Sequence, residues 1–220
     1  MLQKAYLAFD TSTDTASFAL KYGHQVYTAE QVGVATHAEK CLGHIDNLLQ
    51  QANITIADLS GIIIGRGPGS FTGLRVACAV AKGLAFVHDT PIYPISNLRL
   101  LAWQARQTQD SPILSVMDAR MQQVYWAYYP HLFADVSEHV TAIADIQFLG
   151  PNTGILAGYN IQEMLSELPA TLVDFQMMDV KPKANAMIEM VETGKIQAIE
   201  AWALEPTYVR DQVTHGSANG

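Results

Sequence analysis

Residues 65–75 read GRGPGSFTGLR, with glycines at 65, 67, 69 and 73 around Pro68. The stretch follows the apolar run GIII at 61–64 and precedes LRVACAVAKGLAFVHD, so it reads as the turn by which a buried strand becomes a helix. Three chemistries use such turns. A P-loop needs a lysine directly after a glycine at the end of the loop, but Gly73 is followed by Leu74 and Arg75. A nucleophile elbow needs glycines two residues either side of the serine, and Ser70 has Pro68 and Thr72 there. What remains is a glycine turn in which Ser70 or Thr72 caps the helix, with backbone N–H groups that form a nest for an anion or serve only the turn itself.

Outward from the loop, the strand 61–65 is apolar throughout, as in the interior of an α/β sheet. The helix 73–89 is apolar almost all round, which demands burial on two sides. Upstream, 5–10, 16–22 and 25–30 read as three strands joined by tight turns. A helix follows from Thr36, capped by Thr36 with Glu39, with Ala38, Cys41, Leu42, Ile45, Leu48, Leu49 and Ala52 on one face, and Asn53 ends it. Downstream come a strand within 90–96 and a helix at 97–107, with a boundary at the DSP of 110–112. The second half is expected to hold strands near 112–117, 122–129 and 154–157, short helices near 160–167 and 183–193, and a polar tail from Asp211.

Of the 220 residues 49% are apolar, enough for a substantial core, and no run reaches the ~20 apolar residues of a membrane span. The opening MLQKAYLAFD reads as a first strand and not as a signal peptide, so the expected location is the cytoplasm. Cys41 and Cys78 read as reduced packing residues. Thirteen basic against 21 acidic residues give a net charge of −8, which disfavours unaided binding to nucleic acid.

The candidate chemistry lies in two loops. Asp10, Thr11 and Ser12 close the first strand; Asp10 could orient a metal-bound water and the hydroxyls could meet phosphate oxygens, or DTSTDT is only a polar hairpin turn. Gly67, Gly69, Ser70 and Thr72 supply the second loop. His37, Glu39 and His44 are too far apart for a compact ligand pair and lack the H-x-E-x-H pattern; a solvated helix face is the plain alternative.

Three strands, a helix, a strand, a helix and a strand, opening with FDTST, is the layout of the actin-like, sugar-kinase-like and Hsp70-like α/β fold, two lobes each with a mixed sheet and flanking helices. The blocks LAFDTSTDTASFAL (7–20), GRGPGSFTGLRVACAVAKGLA (65–85), MDARMQQVYWAYY (117–129) and EPTYVRD (205–211) resemble the TsaB (YeaZ) family of the bacterial tRNA threonylcarbamoyladenosine (t6A37) machinery. That resemblance implies an N-terminal lobe over 1–108 and a smaller C-terminal lobe over 109–220. It implies an accessory subunit without catalytic residues, cofactor or metal, in contrast to the metal-bearing TsaD subunits. Such a subunit pairs with TsaD, helps to recruit TsaE, dimerises with itself when alone, and meets tRNA only through the complex. Under the resemblance Asp10, Thr11, Ser12, Gly67, Gly69, Ser70 and Thr72 become a vestigial phosphate or nucleotide set. The partner surface falls on helix 73–88, with Val76, Ala77, Val80, Ala81 and Leu84 as the expected contacts. Two rivals stand beside it: an ATP-dependent phosphotransferase using Asp10 and the 65–73 loop, and a peptidase of the glycoprotease type.

Overall fold

The computed structural model describes residues 3–33, 38–106 and 112–209. Two compact units emerge, one comprising Met1–Asn97 with Pro182–Thr207 and the other Leu98–Lys181 with the chain from Tyr208.

The first unit is built on a five-stranded sheet of order β3-β2-β1-β4-β5. Its strands are β1 (Ala5–Asp10), β2 (Thr15–Tyr22), β3 (Gln25–Val32), β4 (Gly61–Gly67) and β5 (Ile92–Ser96). β1 to β3 form an antiparallel meander, and β4 and β5 lie parallel beyond β1. Helices α1 (Ala38–Ala52) and α2 (Phe71–Phe86) cover one face, packing Ile45, Leu48, Ala77, Ala81 and Leu84 on Leu7, Phe9, Phe18 and Ile64. Because side chains alternate along a strand, Ala8 and Ile63 point the other way, and α4 (Ala184–Glu192) packs there against β1, β2 and β4. Ser17 Oγ accepts the α4 Ala184 N–H at 3.0 Å, which anchors that helix. A single cut at 108/109 puts the 183–193 helix with the second half, but α4 returns to the first sheet because β1 and β4 are apolar on both faces and need a cover on each.

The second unit repeats the topology. β6 (Ile113–Asp118), β7 (Gln123–Tyr129), β8 (His139–Ala142), β9 (Gly154–Tyr159) and β10 (Phe175–Asp179) lie in the order β10-β9-β6-β7-β8. The meander β6-β7-β8 is antiparallel and β9 and β10 are parallel to β6, as in the first sheet. Helix α3 (Asn97–Arg106) buries Leu98, Leu101, Ala102 and Ala105 against Ile113, Tyr129 and Ile155.

Most elements fall where the sequence reading puts them. Asn53 ends α1 with φ of 52°, the left-handed turn that asparagine tolerates. β8 and β10 are additional, and the short helix expected near 160–167 is a 3-10 helix over Gln162–Glu167. The cap assigned to Thr36, together with His37 and the tail from Asp211, lies outside the described residues.

Candidate functional site

The duplicated topology puts one aspartate at the C-terminal end of the first strand of each sheet: Asp10 in the first and Asp118 in the second. Asp10 is nearly fully buried, as are Thr11, Ser12 and Asn97. Its Oδ1 accepts the Ser12 N–H at 2.8 Å, and Asn97 Nδ2 lies 3.3 Å from its Oδ2. The same Asn97 Nδ2 donates to Ser12 Oγ at 2.6 Å and to the Pro68 carbonyl at 3.1 Å. One amide thereby ties together the strand-one turn, the glycine loop and the start of α3. Burial pushes the Asp10 carboxyl above its ordinary range, against the pull of the Ser12 hydroxyl and the Ser12 and Thr11 backbone N–H groups.

The glycine loop is pressed onto the Asp10 turn. The Ser70 N–H donates to the Ser12 carbonyl at 2.7 Å, and Thr11 Oγ1 donates to the Gly73 carbonyl at 2.8 Å. A Cβ on Gly69 would fall 2.7 Å from Ser12 Oγ, and one on Gly73 only 2.0 Å from the Thr11 carbonyl oxygen. Both glycines are therefore required by close approach of two backbones. Gly67 has φ of +112°, a conformation that costs other residues strain, and its carbonyl opens the cis bond to Pro68.

Ser70 is the N-cap of α2: its Oγ accepts from Gly73 N–H at 3.4 Å, and its carbonyl accepts from Leu74 N–H at 2.9 Å. Of the two caps the sequence allows, Ser70 takes the role, and Thr72 lies within the first helical turn, exposed. The N–H groups of Ser70, Gly73 and Leu74 are thus engaged within the chain.

Asp118 has a different environment. Arg120 Nη1 lies 3.2 Å from its Oδ2, and the Arg120 N–H donates to its Oδ1 at 2.7 Å. Arg120, Met121 and Gln122 all have positive φ, which turns the chain tightly and presents Arg120 and Met121 to solvent. Sequence reading assigns no role to Asp118; the signal that finds it is the repeat of strand, aspartate and hairpin. Asn97 also escaped that reading, and its signal is an asparagine at the junction of a strand and a helix.

The expected partner residues on α2 mostly face inward. Ala77 and Ala81 are fully buried and Val80 and Leu84 nearly so, all within the unit's own core, while Val76 is half-buried. This corrects the side of the helix: the outward side carries Phe71, Thr72, Arg75, Ala79, Gly83 and Phe86. The Arg75 guanidinium sits 3.7 Å over the Phe71 ring, and Phe86 is 81% exposed. On α1, Leu42 and Gly43 are exposed too, although the sequence pattern puts Leu42 on the inner face. His44 packs its ring on Phe18 and shares a hydrogen bond with Gln31 Oε1 at 3.0 Å, a structural role. Among the described residues no three of His, Cys, Asp and Glu gather as metal ligands, and no helix is long and apolar enough to cross a membrane.

A duplicated actin-like α/β chain with an aspartate ending the first strand of each sheet is the class that fold and site define. The family model described as TsaD, tRNA N6-adenosine threonylcarbamoyltransferase, matches residues 25–205. A tRNA threonylcarbamoyladenosine biosynthesis protein TsaB from Haemophilus influenzae is 31% identical over 226 positions, covering 94% of each chain. The Escherichia coli TsaB is 35% identical over 124 positions, 56% of this chain and 54% of its own. The solved structure of YeaZ from Pseudomonas aeruginosa superposes with a TM-score of 0.80 at 28% identity, covering 93% of this chain and 99% of that one. The chain belongs to the TsaB (YeaZ) family, within the superfamily that the TsaD model describes.

Proposed function

We propose that the chain is a non-catalytic accessory subunit of the threonylcarbamoyl transfer system that modifies N6 of adenosine in tRNA. It acts by docking the outward side of α1 and α2 on a TsaD-type partner. The observation that carries this reading is a pair of helix-interior glycines, Gly43 and Gly83, at which an added Cβ meets nothing within 4 Å among the described residues. Glycine inside a helix costs about 1 kcal/mol relative to alanine. No packing among the described residues explains that cost, whereas close approach of a partner helix does. The exposed Leu42, Phe71, Ala79 and Phe86 add apolar surface around the two glycines.

The same surface serves self-association when the partner is absent, since an apolar face left open invites a second copy. Recruitment of TsaE and a cytoplasmic location belong to this reading, as does contact with tRNA only through the complex. The net charge of −8 supports the last point, because a polyanion is repelled by this chain alone. The vestigial character of the Asp10 and 67–72 loops is supported by the bonds from Ser70 N–H and Thr11 Oγ1 that tie one loop to the other, which engage two of the donors these loops could offer a phosphate. A phosphotransferase working through these loops would have to break them apart first.

The test is transfer of the threonylcarbamoyl group to tRNA by the matching TsaD with and without this chain. The account expects no product from this chain alone and strong stimulation of TsaD by it. Product from this chain without TsaD would overturn the accessory role.

A further inference from the structure

The first unit has a cavity of about 620 Å³ at the opposite end of β1 from Asp10, ~20 Å along the strand at 3.3 Å per residue. Tyr6 and Tyr93 line it from β1 and β5 and Lys4 from just before β1, and Val191, Glu192, Gly194 and Ile196 to Ala198 line it from the end of α4 and the segment after it. Its frame is fixed. The Gly23 N–H donates to the Lys4 carbonyl at 3.2 Å, and Ile92 and Ile199 exchange two backbone hydrogen bonds of 3.0 and 2.8 Å, pinning the segment after α4 to β5.

The two tyrosine rings meet edge to face, with centroids 6.2 Å apart. They do so across Gly61, where a Cβ would lie 2.7 Å from Tyr93 Cε2 and 3.1 Å from Tyr6 Cδ1. A buried strand thus gives up a side chain so that two phenols can lie over it.

Neither hydroxyl has a hydrogen-bond partner among the described residues, and the Lys4 ammonium forms no ion pair with any of them. Burial raises the Tyr93 phenol, Tyr6 adds to this, and the Lys4 charge pulls it down, so the three groups feel one another. Part of the acceptor complement nearby is already engaged. Both Glu192 oxygens are held by Lys21 at 2.5 and 2.7 Å, and the α4 carbonyls of Met190 and Val191 accept from Thr193 and Gly194. The cavity therefore offers three donors, one of them the solvent-exposed Lys4 ammonium, beside the side chains of Val191, Ile196 and Ala198.

We propose that this cavity binds the phosphate group of a small phosphorylated molecule, with the Lys4 ammonium and the Tyr6 and Tyr93 hydroxyls as donors. A tetrahedral oxyanion presents an acceptor oxygen to each of three donors, and charge-assisted hydrogen bonds of this kind are the strong ones. Val191, Ile196 and Ala198 receive the rest of the molecule, and the cavity lies within the ~300–1,000 Å³ range of small-molecule sites. The site is independent of the docking surface proposed above.

The test is calorimetric titration of the full chain with inorganic phosphate, adenosine monophosphate and succinate at fixed ionic strength. The wild type should bind both phosphate probes saturably, the nucleotide more tightly, and succinate at least tenfold more weakly. Lys4→Gln and Tyr93→Phe should each lower affinity for both phosphate probes at least tenfold while melting within about 2 °C of wild type. Lys82→Gln, on α2 and outside the cavity lining, should leave binding unchanged. Absence of saturable phosphate binding, succinate binding as tight as phosphate, or full affinity in Tyr93→Phe would each overturn the site.

Discussion

Gly73→Ala isolates the contact between the two loops from everything else that glycine does. Gly73 lies within α2, so backbone propensity alone favours alanine by about 1 kcal/mol. Against this, the added Cβ would sit 2.0 Å from the Thr11 carbonyl oxygen, 2.8 Å from its carbon and 2.9 Å from Ser12 Cα, all backbone atoms. An ordinary contact requires the Asp10 turn to retreat by more than 1 Å. That retreat breaks the 2.8 Å bond from Thr11 Oγ1 to the Gly73 carbonyl and the 2.7 Å bond from Ser70 N–H to the Ser12 carbonyl. Two hydrogen bonds at about 1 kcal/mol each, with about 1–3 kcal/mol for overpacking, outweigh the propensity gain. The net expectation is a loss of about 2–4 kcal/mol. Gly83→Ala is the matched control: the same helix and the same propensity term, but open space at the Cβ, so it should gain up to about 1 kcal/mol. Urea denaturation followed by circular dichroism reads both. A neutral or stabilised Gly73→Ala would refute the claim that the glycine loop is held against the Asp10 turn.

Other expectations follow from the same contacts. Asn97→Ala removes the amide that serves Asp10, Ser12 and Pro68 and should cost about 2–4 kcal/mol in the same assay; a change below 1 kcal/mol would remove Asn97 from the centre of the network. Because burial raises the folded-state pKa of Asp10, the native state holds its proton longer than the unfolded chain, and wild-type stability is lost as pH rises from the ordinary aspartate range through the raised value. Asp10→Asn removes that loss, so the difference in melting temperature, variant minus wild type, should grow as pH rises from 3.5 toward 7; a flat difference would contradict the assignment. Burial pushes the Cys41 thiol up to about 12 and the Cys78 thiol to about 11, so neither should react with a disulfide reagent at pH 8 until the chain is unfolded. Rapid native-state labelling of either would show that α1 or α2 opens.

The sequence makes the first sheet legible because its strands are apolar and bounded by turn residues, and GRGPGSFTGLR leaves little but a strand-to-helix turn. It does not make the phase of α2 legible, since alanine, glycine and valine run around the whole helix and Arg75 is the one charged residue of the helix on its exposed side. Leu42 misleads in the opposite direction, an apolar residue on the exposed side of α1. β10 has only Phe175 buried and β8 spans four residues, so neither shows the alternation that betrays a half-buried strand. The return of α4 to the first sheet depends on which apolar face remains uncovered, a property of the assembled sheet and not of any local pattern. Asn97 is a single polar residue whose partners lie 29 to 87 positions away, so local spacing carries no trace of the network.

The most direct test of the docking account is sedimentation of the chain with its matching TsaD, as wild type and as Gly83→Glu. Gly83 is exposed with open space at its Cβ, so the glutamate should leave folding intact while placing a charge on the contact face. The account predicts a one-to-one complex for the wild type and its loss for the variant, with unchanged melting of the free chain. A variant that binds TsaD as tightly as the wild type, or a wild type that does not bind at all, would contradict it.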